Sequence, residues 1–249
     1  MAKGKTSTSN VVDDPTATLQ AFTLADLAPY TPEKAYAPDA SNQFHLFFVG
    51  RDDVHDILKH VLSRTRVSLY LNMFGFDDDE LNQILMQKAL DPKVTMLITL
   101  DKSQAGGVHE KVLLDADRKQ ALAQFNTHFV VGQSATHQIS HTKGFVADGK
   151  VGGEGSVNWS ASGEGTFVVT GQSGGAGYKA QNNTQTIFTD ADSLRRFQAE
   201  LIAEHMTAQN QQDQITPKAR QQKKLTVASE KPAKKPAKKA AKKAVKKPA

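Results

Sequence analysis

Residues 141–158 constrain this chain more than any other part of its sequence. They read HTKGFVADGKVGGEGSVN and follow the pattern H-x-K-x4-D-x6-G-S-x-N without a gap. At roughly one in twenty per residue type, six such matches arise by chance at about 10⁻⁸ per starting position. The matching residues are His141, Lys143, Asp148, Gly155, Ser156 and Asn158. The pattern therefore indicates a functional motif.

The motif has the sequence character of two strands joined by a tight turn. Residues 143–147 form a short apolar run, and a second run begins at residues 150–151. Asp148-Gly149 between them is a dipeptide favoured in two-residue hairpin turns. We therefore expect a β-hairpin in the middle of the motif.

The polar residues of the motif are spaced so that their side chains can meet. His141 and Lys143 are two residues apart, which places both side chains on the same face of a strand. Ser156 and Asn158 are also two apart, and Gly155 before them permits a close backbone approach. An imidazole, an ammonium, a hydroxyl and an amide can thus surround one anion. For a phosphodiester, Lys143, Ser156 and Asn158 would bind the non-bridging oxygens, and His141 would attack phosphorus to form a phosphohistidine.

This pattern resembles the HKD motif of the phospholipase D superfamily, whose members cleave and transfer phosphodiesters. The resemblance implies catalytic roles for His141, Lys143 and Asp148, with Asp148 supporting the site and not contacting phosphorus. Gly155 would be a supporting residue. The mechanism implied needs no cofactor and no metal. The resemblance extends over residues 43–210, although only the motif itself is specific.

One feature departs from the family pattern. Many relatives carry an acidic residue on a later strand, in an N-x-E-N-like segment, that steadies the nucleophilic histidine. The corresponding stretch here, residues 182–188, contains no carboxylate. Gln185 or Thr184 could accept a hydrogen bond from the imidazole, and Glu154 or Glu164 could replace the missing acid. We expect this difference to change the rate and pH optimum more than the reaction class.

The chain carries one copy of the motif, although the chemistry needs a second histidine to protonate the leaving oxygen and later activate water. The nearest lookalike begins at His109, lacks the G-S-x-N element and lies in a predicted helix at about 108–124. The single-motif bacterial endonucleases and the mitochondrial cardiolipin hydrolase that this chain resembles are homodimers. The resemblance therefore implies a homodimer in which a two-fold axis brings together His141 of each protomer.

The basic charge of the chain is confined to its C-terminal end. Residues 217–249 hold thirteen Lys or Arg and one acid, a net charge of +12. Because the whole chain is +5, residues 1–216 carry −7. The tail has almost no apolar mass, so we expect residues 213–249 to be disordered when alone.

A polyanion is the expected partner of this tail, bound through counterion release without sequence preference. Nucleic acid is the first candidate, an anionic phospholipid surface is the second, and a purely solubilising role remains open. The lysines expected to make these contacts are Lys234, Lys235, Lys238, Lys239, Lys242, Lys243, Lys246 and Lys247.

Alternating apolar periodicities predict one α/β domain over residues 43–212. The predicted strands lie at 44–49, 67–73, 94–101, 127–131 and in the motif, and the predicted helices at 54–62, 77–85, 108–124 and 190–209. Strand and helix alternate along the chain, which favours a mixed, largely parallel sheet with helices on both faces.

The sequence predicts irregular structure in two segments. Residues 1–42 are rich in Thr, Ala, Asp and Pro and predict a loosely ordered segment. Residues 163–177 form a Gly-rich insertion, which we expect to be mobile; its patch at 166–169 predicts a hairpin or a substrate contact.

Composition excludes several classes of function. The chain has no cysteine, so disulfides and thiolate metal sites are excluded, and no His/Asp/Glu spacing typical of a metal site stands out. No signal peptide and no run of eighteen apolar residues is visible. We therefore expect a cytoplasmic protein, with non-classical export left open.

These observations favour a homodimeric phosphodiesterase, first as a metal-independent endonuclease on DNA or RNA whose tail holds the polymer. The acidity of residues 1–216 keeps an alternative open, a phospholipase D that hydrolyses phosphatidylcholine-type glycerophospholipids to phosphatidate. A second alternative is a non-catalytic nucleic-acid-binding protein that uses this fold as a dimerisation scaffold.

Overall fold

The computed structural model describes residues 16–101, 127–132 and 140–229. This part of the chain contains a seven-stranded sheet in the order β1-β7-β6-β5-β2-β3-β4. The strands are β1 Phe44–Phe48, β2 Ser68–Met73, β3 Thr95–Asp101, β4 Thr127–Gly132, β5 Gly144–Ala147, β6 Val151–Gly155 and β7 Thr184–Phe188.

The sheet is mixed, as expected, but less parallel than the sequence suggested. Only β2–β3 and β3–β4 pair in parallel, whereas the other four neighbouring pairs are antiparallel. The predicted hairpin of the motif is β5–β6, and a short connection of this kind can join only antiparallel strands. Asp148 and Gly149 in its turn have φ of 52° and 62°, which suits the Asp-Gly dipeptide.

Helices cover both faces of the sheet, which confirms the expected α/β layering. The helical segments are a 3-10 helix Leu24–Tyr30 and the α-helices α1 Val54–Ser63, α2 Asp79–Leu90, α3 Ala161–Glu164, α4 Thr166–Val169 and α5 Ala191–Ser229. Asp53 and Asp78 cap α1 and α2 by accepting hydrogen bonds from Asp56 N (3.1 Å) and Leu81 N (2.7 Å).

The two cores lie on opposite faces of the sheet. Phe145 and Ala147 of β5 belong to the larger core, which also contains the apolar residues of α1 and α2. Val146 between them points to the other face and packs with Leu194 and Leu201 of α5. This alternation follows from the two-residue repeat of a strand.

The N-terminal segment is more ordered than its composition suggested. Leu19, Leu24 and Leu27 are at most 1% exposed and belong to the larger core. The prediction of a loosely ordered segment is therefore wrong for residues 16–42. The leucines that anchor it are few and lie in a short stretch, so no sustained periodicity shows them to be buried.

The prediction of a hairpin at residues 166–169 is also wrong, because two short helices, α3 and α4, occupy residues 161–169. Ser160 caps α3 by accepting a hydrogen bond from Gly163 N at 3.0 Å. Gly165 separates the two helices with a φ of 67°, a conformation that a residue with a side chain rarely adopts.

The chain divides into two compact units, Met1–Gln212 and Asp213–Ala249. Helix α5 continues to Ser229, and the expectation that residues 213–249 are disordered when alone remains a prediction. The predicted helix at 108–124 and all eight tail lysines named above lie outside the described residues.

No helix in the described part of the chain combines the length and the apolar composition that a membrane crossing requires.

Candidate active site

Four chain segments meet at one edge of the sheet, and they carry most of the motif. In the strand register, Asn72 of β2 lies opposite Gly144 of β5, and Gly144 lies opposite Glu154 of β6. Gly155, which ends β6, lies opposite Gln185 of β7. The residues just before β5 and just after β2 and β6 therefore lie together at the same ends of neighbouring strands. This is the sheet edge that carries the motif.

His141 and Lys143 meet at this edge, as the sequence predicts. His141 is exposed, whereas Lys143 is only 3% exposed. The Lys143 Nζ lies 3.2 Å from each ring nitrogen of His141 and donates a hydrogen bond to His141 O at 2.9 Å. Among the described residues, no carboxylate forms a salt bridge with Lys143. A buried ammonium without a counterion suits the binding of an anion.

Phe74 completes this cluster, and the sequence did not single it out. Its ring centroid lies 4.6 Å from that of His141, and the Lys143 Nζ lies 5.1 Å from the Phe74 centroid. Burial lowers the pKa of Lys143, although the negative charge of Glu154 opposes this shift. The aromatic ring thus shields the ammonium and orients the imidazole without removing His141 from solvent.

A buried polar network holds the backbone immediately before His141. Asp101 at the end of β3 accepts a hydrogen bond from Ser140 N at 2.7 Å. The Asn72 side chain donates to Ser140 Oγ at 3.0 Å. All three residues are buried. Sequence reasoning missed them; the available signal was a polar Asn72 within an apolar strand and an acid ending the next strand.

Asn158 is held against the segment that carries Phe74. Trp159 N donates to Gly75 O at 2.9 Å, and a Cβ on Gly75 would lie 3.1 Å from Asn158 Cγ. Within the described residues, Asn158 Oδ1 is buried and has no hydrogen-bond partner. Leaving such an atom unsatisfied costs about 1–3 kcal/mol, which a ligand can recover.

Ser156 and Gly155 lie at the same sheet edge, where they contact the backbone and side chains at the start of β7. Ser156 Oγ donates to Asn183 Oδ1 and accepts from Thr184 N, each at 3.1 Å. A Cβ on Gly155 would collide with Thr184 O, so the glycine permits close packing of β6 and β7. Ser156 therefore braces the start of β7, and phosphate binding by its hydroxyl remains a prediction.

Gln185 has a different partner from the one expected. Its side chain is buried on β7, and its Nε2 donates to Thr186 O at 3.1 Å. The described residues show no hydrogen bond between Gln185 and His141, so a supporting role for Gln185 remains a prediction. Glu154 is exposed on β6.

Glu164 does not replace the missing carboxylate beside His141, because it pairs with another histidine. Glu164 is fully buried, and its Oε2 lies 2.6 Å from His55 Nδ1. Burial would lower the pKa of His55, but the hydrogen bond and charge of Glu164 raise it to about 10. Burial also raises the pKa of Glu164.

Asp148 lies at the other end of β5 from the rest of the motif, and the supporting role that the resemblance implies for it remains a prediction. Asp148 directly follows β5, whereas Lys143 directly precedes it, so the two residues lie at opposite ends of this strand. Its carboxylate accepts hydrogen bonds from the backbone N–H groups of Arg66, Val67 and Ser68 at 2.9, 2.7 and 2.9 Å. Asp148 thus ties the hairpin turn to the start of β2, which is a structural function.

Comparison with solved structures gives matches that cover about two thirds of this chain. NucT from Helicobacter pylori matches with a TM-score of 0.50 at 15% identity, covering 66% of this chain and 96% of its own. Nuc from Salmonella typhimurium, a phospholipase D family member, matches with a TM-score of 0.46 at 14% identity, covering 65% and 94%. Phosphatidylserine synthase from Haemophilus influenzae gives 0.48 at 9% identity, covering 65% and 39%.

No protein-family model matches the sequence, and the comparison with curated proteins finds no match. At these identities the structural similarity establishes the fold, and the arrangement of residues at the sheet edge carries the argument about function.

Proposed function

From its phospholipase D fold, we propose that this chain is a phosphodiesterase that acts through a covalent phosphohistidine on His141. The observation that carries this proposal is the pairing of an exposed imidazole with a buried ammonium at 3.2 Å. Such a pair presents a nucleophile and a phosphate-binding charge to the same anion.

The reaction divides into two displacements. An imidazole nitrogen of His141 attacks phosphorus in line, an N–P bond forms, and the P–O bond to the leaving oxygen breaks. A protonated second imidazole gives its proton to that oxygen and, once neutral, takes a proton from water. The water then breaks the N–P bond and releases the phosphomonoester, which restores both imidazoles.

Lys143 and Asn158 bind the phosphoryl oxygens in this proposal. The Lys143 ammonium neutralises charge on the non-bridging oxygens in a site where burial strengthens the interaction. The Asn158 amide, held against Gly75, offers a further polar contact. Phe74 limits the ways in which the His141 ring can tilt.

The second imidazole comes from a second copy of the chain. The motif occurs once in the sequence, and a two-fold axis at the sheet edge supplies His141 of the partner to the same phosphate. We therefore propose a homodimer with one shared active site.

Nucleic acid is the proposed substrate, cleaved as by a metal-independent endonuclease. The thirteen basic residues of the tail support this choice, because they would hold a polyanion near a catalytic part that is itself acidic.

A phospholipid substrate is the second candidate, and a specific surface favours it. A groove of about 850 Å³ beside the motif is lined by Thr142, Phe44, Phe188 and Phe197 among others. Phe44, together with Leu46 and Phe48, forms an exposed apolar stripe on edge strand β1. The exposed stripe offers acyl chains an apolar binding surface, and the groove beside it also carries charged side chains.

A paired assay separates these substrates. Supercoiled plasmid and phosphatidylcholine vesicles are each incubated with wild type, His141→Asn and the matched control His45→Asn. We expect wild type and the control to cleave one substrate, and His141→Asn to be slower by about 10³-fold. An active His141→Asn protein would remove the proposed site, and plasmid binding without cleavage by wild type would support the non-catalytic alternative.

A further inference from the structure

A buried group of three ionisable side chains lies outside the phosphate site. It contains His55 of α1, Asp78 at the cap of α2 and Glu164 of α3, and one ligand atom from each lies within 4.8 Å of the others. His55 Nδ1 is 2.6 Å from Glu164 Oε2 and 3.5 Å from Asp78 Oδ2. The sequence did not indicate this group, because its members are widely separated along the chain.

The charges in this group do not balance. When both carboxylates are ionised, two negative charges face one imidazole, so a net negative charge remains even if His55 is protonated. Asp53 adds a further negative charge nearby, as its electrostatic effect on Glu164 indicates. Glu164 is fully buried, and its Oε1 has no hydrogen-bond partner among the described residues. A buried carboxylate oxygen without a partner costs free energy unless a cation or a hydrogen-bond donor binds to it.

Apart from the hydrogen bond between His55 Nδ1 and Glu164 Oε2, the surrounding contacts leave Asp78 Oδ2 and Glu164 Oε1 available to a metal ion. Asp78 uses Oδ1 to cap α2, which leaves Oδ2 directed at His55. His55 Nε2 lies 3.2 Å from Glu80 Oε2, and Lys59 Nζ anchors Glu80 at 2.6 Å. A carboxylate on the far nitrogen fixes the tautomer and orientation of a metal-bound histidine.

We propose that His55 Nδ1, Asp78 Oδ2 and the Glu164 carboxylate bind one divalent transition-metal ion. One imidazole and two carboxylates form a ligand set that suits Zn²⁺ or Mn²⁺. Binding removes the proton that joins His55 to Glu164, and the Nε2–H of the neutral imidazole then donates to Glu80.

The position of the ligands gives the ion a structural function. Asp78 lies four residues after Phe74, and Glu164 lies six residues after Asn158. An ion bound to both would connect these two loops to α1. The proposal does not depend on the phosphodiester chemistry, so metal binding and cleavage can succeed or fail separately.

Metal binding to the intact chain tests this inference. Protein freed of metal by chelator dialysis is titrated with Zn²⁺, and bound metal and Tm are measured. We expect one Zn²⁺ per chain and a Tm increase of about 5 °C at saturating zinc. X-ray absorption should show nitrogen and oxygen ligands with a single imidazole.

Matched variants locate the ion. His55→Gln and Glu164→Gln should lose the bound zinc and the Tm increase, whereas His45→Gln should retain both. Glu164→Gln keeps the shape of the side chain and serves if His55→Gln does not fold. Wild type that binds no zinc, a spectrum with several imidazoles, or a folded Glu164→Gln protein that binds zinc as wild type does would overturn the proposal.

Discussion

His141 and Lys143 are two residues apart, yet solvent reaches only one of them. The difference arises because Lys143 lies directly before β5 and its Nζ packs beneath the Phe74 ring. An imidazole that attacks a substrate must be reachable, whereas a cation that binds phosphate gains strength from burial. The two exposures therefore match the two proposed roles.

The lowered pKa of Lys143 predicts how substrate binding depends on pH. Burial favours the neutral amine, so Lys143 should lose its proton before the pH reaches the ordinary lysine pKa of 10.5. Phosphate binding should therefore weaken as the pH rises towards that value. We expect KM to rise with pH in this range, measured with the cleaved substrate. Lys143→Arg should show a flat KM over the same range, since guanidinium remains charged. Identical KM profiles for the two proteins would contradict the role of Lys143.

Asp148 should affect stability and not turnover. Asp148→Ala removes the acceptor for three backbone N–H groups and places alanine at a φ of 52°, so we expect a loss of about 2 kcal/mol in urea unfolding. Asp148→Asn, which tolerates this φ and keeps one acceptor, should lose less. A folded Asp148→Ala protein with kcat reduced a hundredfold would instead place Asp148 among the residues that turnover requires.

At the residue scale, the sequence identified the motif positions but not all of their roles. His141 and Lys143 come together because they are two residues apart in the segment directly before β5, so their relation is settled locally. The partners of Asp148 and Ser156 belong to distant segments, 66–68 and 183–184, and no local pattern shows which backbone groups will be nearby. For the same reason, the sequence did not indicate the role of Phe74 or the group that contains His55.

The 3-10 helix is an element whose docking depends on a neutral histidine. Tyr30 OH lies 2.9 Å from His60 Nδ1 of α1, and the Phe22 ring packs against His60 at 6.0 Å. Burial, assisted by the charge of Arg64, lowers the pKa of His60 to about 4. Protonating His60 therefore opposes this contact.

This depressed pKa predicts acid sensitivity of the fold. The unfolded chain takes up a proton on His60 near pH 6.5, whereas the folded chain does so near pH 4, so stability is lost as pH falls between these values. We expect His60 to account for a loss of about 2 kcal/mol in denaturant unfolding between pH 7 and 4. His60→Gln should lack this contribution to the pH dependence of the free energy of unfolding. Parallel stability curves for wild type and His60→Gln would refute the assignment.

At the element scale, long periodic segments were predictable and short ones were not. Helices α1 and α2 begin one residue after the aspartates that cap them, and the capping pattern is visible in the sequence. The 3-10 helix and helices α3 and α4 have four to seven residues each, and such short elements depend on tertiary packing.

At the scale of the whole molecule, the mixed α/β fold and its β5–β6 hairpin were predictable, but most of the antiparallel strand pairing was not. A β-α-β order determines parallel neighbours only where helices connect them, as for β2 and β3. The rest of the antiparallel half arises where β1, β7 and the β5–β6 hairpin come together from distant parts of the chain.

The shared site predicts how activity depends on subunit composition. If each active centre needs His141 from both chains, a randomised equal mixture of wild type and His141→Asn should retain about one quarter of the wild-type activity. Independent sites would retain one half. Light scattering should give the mass of a dimer at assay concentration, and a fully active monomer would contradict the proposal.

The covalent bond between His141 and phosphorus is the central claim, and trapping it is the most direct test. Wild-type protein is mixed with a substrate labelled at the scissile phosphate, quenched in alkali during turnover, digested and sequenced by mass spectrometry. The account predicts an acid-labile phosphoryl adduct on His141 that forms and decays with turnover and is missing from the His141→Asn protein. Rapid cleavage by wild type with no adduct on any histidine would contradict it.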